Sequence, residues 1–142
     1  MAKPSLFPSF NIRVVLVLYR LIWAVCLPLV IFFLYWRGKK EPAYFKFLAE
    51  RFGRHKLRDK SHIWIHAVSL GEVRSAVPLI KRLLLDDTPV VTTHFTPAGR
   101  SAIVRLFPDA VANGHLTACY VPFDYSAAFR RFFKAFRPVY GL

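Results

Sequence analysis

The chain has 142 residues, 55% of them hydrophobic and 16% aromatic, and its formal net charge is +13. This length suits one ordinary domain, whereas the apolar content is high for a soluble domain and indicates that part of the chain contacts lipid. Residues 1–60 hold twelve Lys and Arg against three acids, so the basic excess lies beside the most apolar segment. That position favours anionic lipid head groups as the partner. Nucleic acid is the least favoured partner, since no zinc-ligand spacing or RNA-binding strand motif is present.

Residues 14–36, VVLVLYRLIWAVCLPLVIFFLYW, predict a membrane anchor helix after a tail of residues 1–13. A helix of this length reaches ~35 Å, enough for a hydrocarbon core of ~30 Å. Arg20 is its one charge and would cost ~2 kcal/mol in lipid unless it reaches a head group, and Pro28 predicts a kink. The run exceeds the apolar core of a cleaved signal peptide, so we expect an uncleaved anchor. Whether it spans the bilayer or lies in its surface stays open.

Cys26 lies within this run and Cys119 in a later predicted strand. They do not form a disulfide framework, so we expect free thiols in a reducing compartment. Neither has a His or a second Cys at ligand spacing, and no structural metal is predicted.

Residues 37–60 form a basic juxtamembrane segment with nine Lys and Arg against three acids, which places the following residues in the cytoplasm by the positive-inside rule. Apolar side chains recur in it at near-helical spacing: Tyr44, Phe45, Phe47, Leu48 and Phe52. Two interpretations stay open. The segment is either a basic amphipathic helix on the membrane surface or a helix that packs its aromatic face on the following domain.

From residue 61 the pattern alternates between strands and helices. Apolar runs predict strands at 63–68, 90–95, 118–123 and from residue 137 onward. Between them we expect a helix with an apolar stripe from Val73, a helix capped by Thr96, and a helix capped by Asp124. Pro78 should bend the first helix or delay its start.

This order predicts that residues 61–142 are an α/β domain, a Rossmann-like open parallel sheet with helices on both faces. In such sheets ligands bind beyond the carboxyl ends of the strands.

Glu72 is the first candidate for chemistry. Ser69-Leu70-Gly71-Glu72 fits the S/T-x-x-E capping box, in which the acid only stabilises the start of a helix. The same position puts a carboxylate at the mouth of a strand–loop–helix cleft, where a general base can sit and where Gly71 leaves room for a substrate. The pattern alone favours the cap, although Glu72 is the only acid between Lys60 and Lys81.

Two histidines and a glycine lie near the same predicted edge. His66 ends a strand and fits a core histidine, whereas His94, beside threonines, is the better candidate for binding sugar or phosphate oxygens. Gly99, three residues after Thr96, could let a helix amino end approach an anion, although one glycine is a weak signal.

Three segments together resemble the amino-terminal half of the 3-deoxy-D-manno-octulosonic acid (Kdo) transferase family: HAVSLGEVRSAVPLIKRL, VVTTHFTPAGRSA and YVPFDYSAAFRRFFKAFRP. RGKKEPAYFKFLAERFG resembles the segment that follows the membrane anchor of that family. The resemblance implies a glycosyltransferase with two Rossmann-like domains (the GT-B arrangement), which needs no metal or other cofactor. It would transfer Kdo from CMP-Kdo to a lipid A precursor in lipopolysaccharide assembly, at the cytoplasmic face of the bacterial inner membrane.

The resemblance also implies site residues. Glu72 matches the Glu of the family's S-x-G-E motif, its proton acceptor, and Ser69, Gly71, Thr96 and Gly99 are the candidate substrate-binding residues. The expected partners are the lipid A precursor and an anionic membrane surface. The donor domain, which holds CMP-Kdo, is expected outside these residues, so we expect them to lack transferase activity alone. The alternative is a non-catalytic module that binds anionic lipid through residues 37–60.

Overall fold

A computed structural model of the protein describes residues 10–142, with side chains from Ile12 onward. Its first helix, α1, runs from Phe10 to Gly38 and continues through Pro28. Among the described residues, this helix is long and apolar enough to cross a membrane, by length and composition. It extends past the predicted anchor at both ends, and residues 1–9 of the predicted tail lie outside the described residues.

Two short helices follow, α2 (Ala43–Lys46) and α3 (Leu48–Arg51). The aromatic side chains of this segment contact the domain, because the Phe47 ring lies 6.4 Å from that of Tyr120 and the Phe52 ring 5.3 Å from that of Phe123. These contacts agree with the second interpretation, in which the aromatic residues pack on the domain.

The domain contains one four-stranded sheet in which every neighbouring pair is parallel, in the order β3-β2-β1-β4. Its strands are β1 (Ile63–His66), β2 (Val90–His94), β3 (Leu116–Tyr120) and β4 (Tyr140–Gly141). Its helices are α4 (Leu70–Leu85), α5 (Pro97–Leu106), α6 (Pro108–Ala112) and α7 (Ser126–Phe136). The predicted α/β fold with a parallel sheet is confirmed, and the short α6 is an addition to the prediction.

Helices cover both faces of the sheet, which is why its strands read as apolar runs. On one face α4 and α5 form a core around Ile80 and Ile103. On the other face α7 forms a core around Phe132. Side chains alternate along a strand, so Ile65 of β1 joins the first core and Trp64 the second. Each fully buried side chain of this size contributes ~1.5–3 kcal/mol.

The predicted helix starts are right for α4 and α5 and wrong for α7. Thr96 caps α5, its hydroxyl accepting from the Gly99 N–H at 3.3 Å. The N-cap of α7 is Tyr125 without a side-chain bond, because the Asp124 carboxylate accepts a hydrogen bond from the Tyr19 hydroxyl of α1 instead. Helix α4 continues through Pro78.

Candidate functional site

The strand order places the candidate site. The chain builds β1, β2 and β3 outward on one side and then returns to pair β4 on the other side of β1. The topological switch point, where open α/β sheets bind ligands, therefore lies between β1 and β4. The loop that leaves β1 at this point is residues 67–69, and it leads directly into Glu72.

The start of α4 holds the Glu72 side chain by one oxygen. Both halves of the capping box are present, and Glu72 Oε2 accepts from the backbone N–H groups of Val68 and Ser69, the latter at 3.0 Å. The Ser69 hydroxyl accepts from the Glu72 N–H at 3.3 Å. The Glu72 side chain is exposed, and within residues 10–142 no donor to Oε1 is seen. One oxygen is thus fixed and the other faces outward.

Gly71 and Gly99, both predicted to bind substrate, have different surroundings. A Cβ atom at Gly71 would meet only the Ser69 Oγ, at 3.8 Å. A Cβ atom at Gly99 would lie 3.3 Å from His94 Nδ1, and Gly99 itself is buried. The packing of the domain therefore gives a reason for glycine at 99 and none at 71, where the space opens to solvent.

His94 is a buried structural residue, contrary to the expectation that it binds a ligand. Its Nδ1 lies 2.8 Å from the Ala67 carbonyl oxygen and its Nε2 lies 2.9 Å from Thr92 Oγ1. Burial lowers the pKa of His94 to about 4, so the ring is neutral near pH 7. The carbonyl can only accept, so Nδ1 carries the proton and Nε2 accepts from the Thr92 hydroxyl. His94 thereby ties the loop that precedes Glu72 to β2.

His66, expected in the core, is the exposed histidine of the pair. Its Nδ1 lies 2.8 Å from Thr93 Oγ1, which accepts from Trp64 Nε1, also at 2.8 Å. The Thr93 hydroxyl can donate to Nδ1, which leaves the His66 Nε2–H directed outward. The sequence analysis did not predict this series of hydrogen bonds from Trp64 through Thr93 to His66. Residues 64 and 66 lie on one face of a strand, and that alternation was a signal for it.

A second polar cluster lies at the same edge of the sheet, beyond β2 and β3. Glu50 Oε1 pairs with Arg100 at 3.1 Å, and its Oε2 accepts from the Tyr120 N–H at 2.9 Å. Arg51 is 1% exposed, donates to the Phe95 carbonyl oxygen at 2.9 Å, and lies 4.3 Å above the centre of the Tyr120 ring. The cluster fixes the juxtamembrane segment to the sheet. No local pattern indicates it, because each contact joins residues far apart in sequence.

Gly53 also allows the juxtamembrane segment to pack on the domain. Gly53 has φ of +70°, and a Cβ atom there would lie 2.1 Å from the Ala128 carbonyl oxygen. Only glycine allows the chain to pass this close to the start of α7. Residues 47–53 are therefore part of the domain.

The sequence profile of the 3-deoxy-D-manno-octulosonic acid transferase (Kdo transferase) family matches residues 46–142. The chain belongs to this family. The matched region covers α3, the whole sheet and the Glu72 loop. No solved structure gives a significant match to the chain.

Curated relatives carry the same family name. The chain is 38% identical over 120 residues to a 3-deoxy-D-manno-octulosonic acid transferase of Bordetella pertussis, covering 81% of this chain and 28% of that protein. It is 32% identical over 125 residues to the enzyme of that name in Haemophilus influenzae, covering 84% of this chain and 28% of the relative. It is 30% identical over 125 residues to a probable mitochondrial 3-deoxy-D-manno-octulosonic acid transferase of Arabidopsis thaliana, covering 85% of this chain and 27% of that protein. The chain thus spans little more than a quarter of these relatives.

Proposed function

We propose that this chain is the acceptor-side part of an enzyme that transfers Kdo from CMP-Kdo to a lipid A precursor, with Glu72 as general base. Two observations support the proposal: membership in the Kdo transferase family and the position of an exposed carboxylate at the switch point of the sheet. The second observation is the reason for choosing Glu72, since open α/β sheets bind ligands at the switch point.

In the proposed reaction, Glu72 removes the proton from the acceptor hydroxyl as its oxygen attacks the anomeric carbon of Kdo. The new bond joins that oxygen to the anomeric carbon, the bond from that carbon to the phosphate oxygen breaks, and CMP leaves with the bonding electrons. A base in this role must come within hydrogen-bond reach of the hydroxyl. Oε1 is the oxygen free to do so, and a proton on Oε1 leaves the two bonds accepted by Oε2 intact.

The surroundings keep the base in place. Helix α4 begins at Leu70, so Glu72 lies in its first turn, where the positive end of the helix dipole stabilises a carboxylate. The hydrogen bond from His94 to the Ala67 carbonyl oxygen fixes the preceding loop. A base that is already held in position lowers the barrier, because it need not be oriented during the reaction.

Of the four candidate binding residues, Gly71 and Ser69 border the open side of Glu72, so we assign them to the acceptor. Thr96 and Gly99 start α5 at the end of β2. We assign them to substrate binding at the same edge of the sheet, where the amino end of α5 can approach an anion. The Thr96 hydroxyl also accepts a hydrogen bond from the Gly99 N–H.

The proposed acceptor is a phosphorylated lipid in the cytoplasmic leaflet of the bacterial inner membrane. The apolar helix α1 and the adjoining cations Arg37, Lys39 and Lys40, all exposed, suit an anionic membrane surface. The pocket for CMP-Kdo is assigned to a donor domain outside these residues.

Glu72→Gln tests the base without removing the cap. Glutamine at this position can still accept the two backbone bonds, yet it cannot take a proton. The variant is made in a full-length enzyme in which this chain is joined to the remaining part of the Bordetella pertussis relative. We expect a loss of turnover of about 10²–10⁴-fold, as for removal of a general base, with an unchanged melting temperature.

The matched control is Glu41→Gln, an exposed acid in the juxtamembrane segment, which should leave turnover unchanged. Full activity of the Glu72→Gln enzyme would reduce Glu72 to a helix cap. If the full-length enzyme without substitutions binds lipid but shows no turnover, the result would instead support the alternative, a non-catalytic module that binds anionic lipid through residues 37–60.

A further inference from the structure

Helix α1 contacts α2 near its carboxyl end and the domain in its amino-terminal half. Near its carboxyl end the Tyr35 ring lies 5.7 Å from that of Phe45 in α2. In its amino-terminal half Tyr19 donates a hydrogen bond to Asp124, and the Trp23 ring lies 6.3 Å from that of Phe123. Trp23 also donates from Nε1 to the Tyr19 hydroxyl at 2.7 Å.

The length of the helix makes these contacts informative. From residue 19 to residue 35 a helix rises ~24 Å, most of the ~30 Å hydrocarbon core. If α1 crossed the bilayer from its junction with the domain, its amino-terminal half would lie deep in lipid or beyond it. Phe123 and Asp124 lie in the folded domain, three and four residues after the end of β3, and they cannot be deep in lipid.

The two sides of α1 also differ in environment. The side opposite the domain is an uncharged apolar stripe at alternating three- and four-residue spacing. Its residues are 54–71% exposed: Leu18, Ile22, Val25, Leu29, Phe32 and Trp36. Lys40 lies 5.9 Å above the Trp36 ring at the end of this stripe, the pairing expected at the level of lipid head groups.

Arg20, the single charge of the apolar run, lies on the side that faces the domain. It borders a cavity of about 220 Å³ between α1 and the start of α7, lined by Arg20, Trp23, Ala24, Leu27, Asp124 and Tyr125. In this position the guanidinium group is directed away from the apolar stripe. The cost of placing Arg20 in lipid, expected for a spanning helix, does not arise.

We propose that α1 lies in the plane of the membrane surface, with its apolar stripe in the acyl region of an anionic bilayer and its other side docked on the domain. Because Tyr19 and Trp23 on the inward side contact the domain, that side need not be polar throughout, as it would be in a helix that faces water. Asp124 lies beyond β3, at the same carboxyl edge as the Glu72 loop. The docked helix therefore holds that edge beside the bilayer. This orientation is independent of the proposed reaction.

Depth measurements on the full chain test the orientation. Leu18→Cys, Val25→Cys and Phe32→Cys are each made with Cys26→Ser, labelled with a fluorophore, and bound to vesicles of phosphatidylethanolamine and phosphatidylglycerol. Burial raises the pKa of the Cys119 thiol, which therefore need not be removed. Lipids with quenchers at two depths report how far each label lies from the surface.

We expect the three labels to lie at one shallow depth, within ~5 Å of each other and ~5–10 Å below the head groups. A spanning helix would put Val25 deepest, with Leu18 and Phe32 each ~10 Å nearer a surface. That gradient, or the absence of quenching at all three positions, would overturn the proposal. Ala24→Cys, at the docked cavity, is the control and should be quenched less than Val25→Cys.

A labelling experiment in cells gives a second measurement. Ile12→Cys, near the amino end of α1, in the Cys26→Ser background should resist a membrane-impermeant maleimide added to intact spheroplasts and react after permeabilisation. Lys56→Cys, on the exposed surface of the domain, is the control for a cytoplasmic position. Reaction of Ile12→Cys in intact spheroplasts would show that the amino end of α1 crosses the membrane and would overturn the proposal.

Discussion

Two glutamates at the same edge of the sheet have opposite surroundings. Glu72 is exposed, with one oxygen fixed by backbone N–H groups and the other facing outward. The Glu50 side chain is 17% exposed, and both of its oxygens are occupied, one by Arg100 and the other by the Tyr120 N–H. Burial raises the pKa of Glu50, and the Arg100 charge opposes that effect without cancelling it.

The difference shows that an accessible carboxylate oxygen, and not an elevated pKa, identifies the candidate base in this domain. An elevated pKa marks Glu50, yet its oxygens have no room for a substrate hydroxyl. A general base needs geometry first and a suitable pKa second. Glu72 has the open oxygen, at the switch point, and Glu50 has the role of attaching the juxtamembrane segment to β3.

Glu50→Ala should have the largest effect on stability. It leaves the largely buried Arg100 without its carboxylate partner, and breaking such a pair costs about 3 kcal/mol or more. Urea unfolding of the chain in detergent measures the change. Glu72→Ala is the matched comparison, and equal losses for the two variants would contradict the distinction drawn between them.

Acidification should destabilise the domain through His94. Its pKa falls on folding from its ordinary value near 6.5 to about 4, so between these pH values the unfolded chain binds a proton that the folded chain does not. The stability contributed by the neutral His94 ring is therefore complete above pH 6.5 and is lost as the pH falls toward 4, by about 3 kcal/mol in total. His55, whose pKa burial also lowers to about 4, contributes in the same pH range.

Melting temperatures from pH 7 to pH 4 measure this loss. His94→Gln should be less stable at pH 7 but lose less on acidification. An unchanged pH dependence in that variant would show that other groups cause the acid sensitivity.

Glu72→Ala should lower stability by about 1 kcal/mol, the usual value of a helix cap, whereas Glu72→Gln should stay within a few tenths of the parent. Both should lower turnover of the full-length enzyme by about 10²–10⁴-fold. A Gln variant as unstable as the Ala variant would mean that the negative charge, and not the capping bonds, stabilises α4.

Gly71→Ala should have a small effect on stability, and one of opposite sign to the preceding losses. Alanine is the better residue in a helix, so a gain of up to about 1 kcal/mol is expected, together with a lower turnover if the acceptor approaches at this position. Gly99→Ala is the comparison and should be destabilising, because its Cβ atom would lie 3.3 Å from His94 Nδ1. Normal turnover of the Gly71→Ala enzyme would remove Gly71 from the binding site.

Contacts within a few residues could be derived from the sequence. The capping box joins residues 69 and 72, and the Thr96 cap joins residues 96 and 99, so spacing alone predicts both. The parallel sheet also follows from local pattern, since strands buried on both faces are continuous apolar runs separated by amphipathic helices.

Only the tertiary structure decided which histidine is buried and where Asp124 binds. His94 is enclosed because β2 is an interior strand and the β1 loop passes over its end, and Asp124 accepts from a tyrosine 105 residues away. The tertiary structure likewise decides that β4 pairs with β1, and this pairing places the switch point next to the Glu72 loop. Such contacts depend on where distant segments meet, a property that residue spacing does not encode.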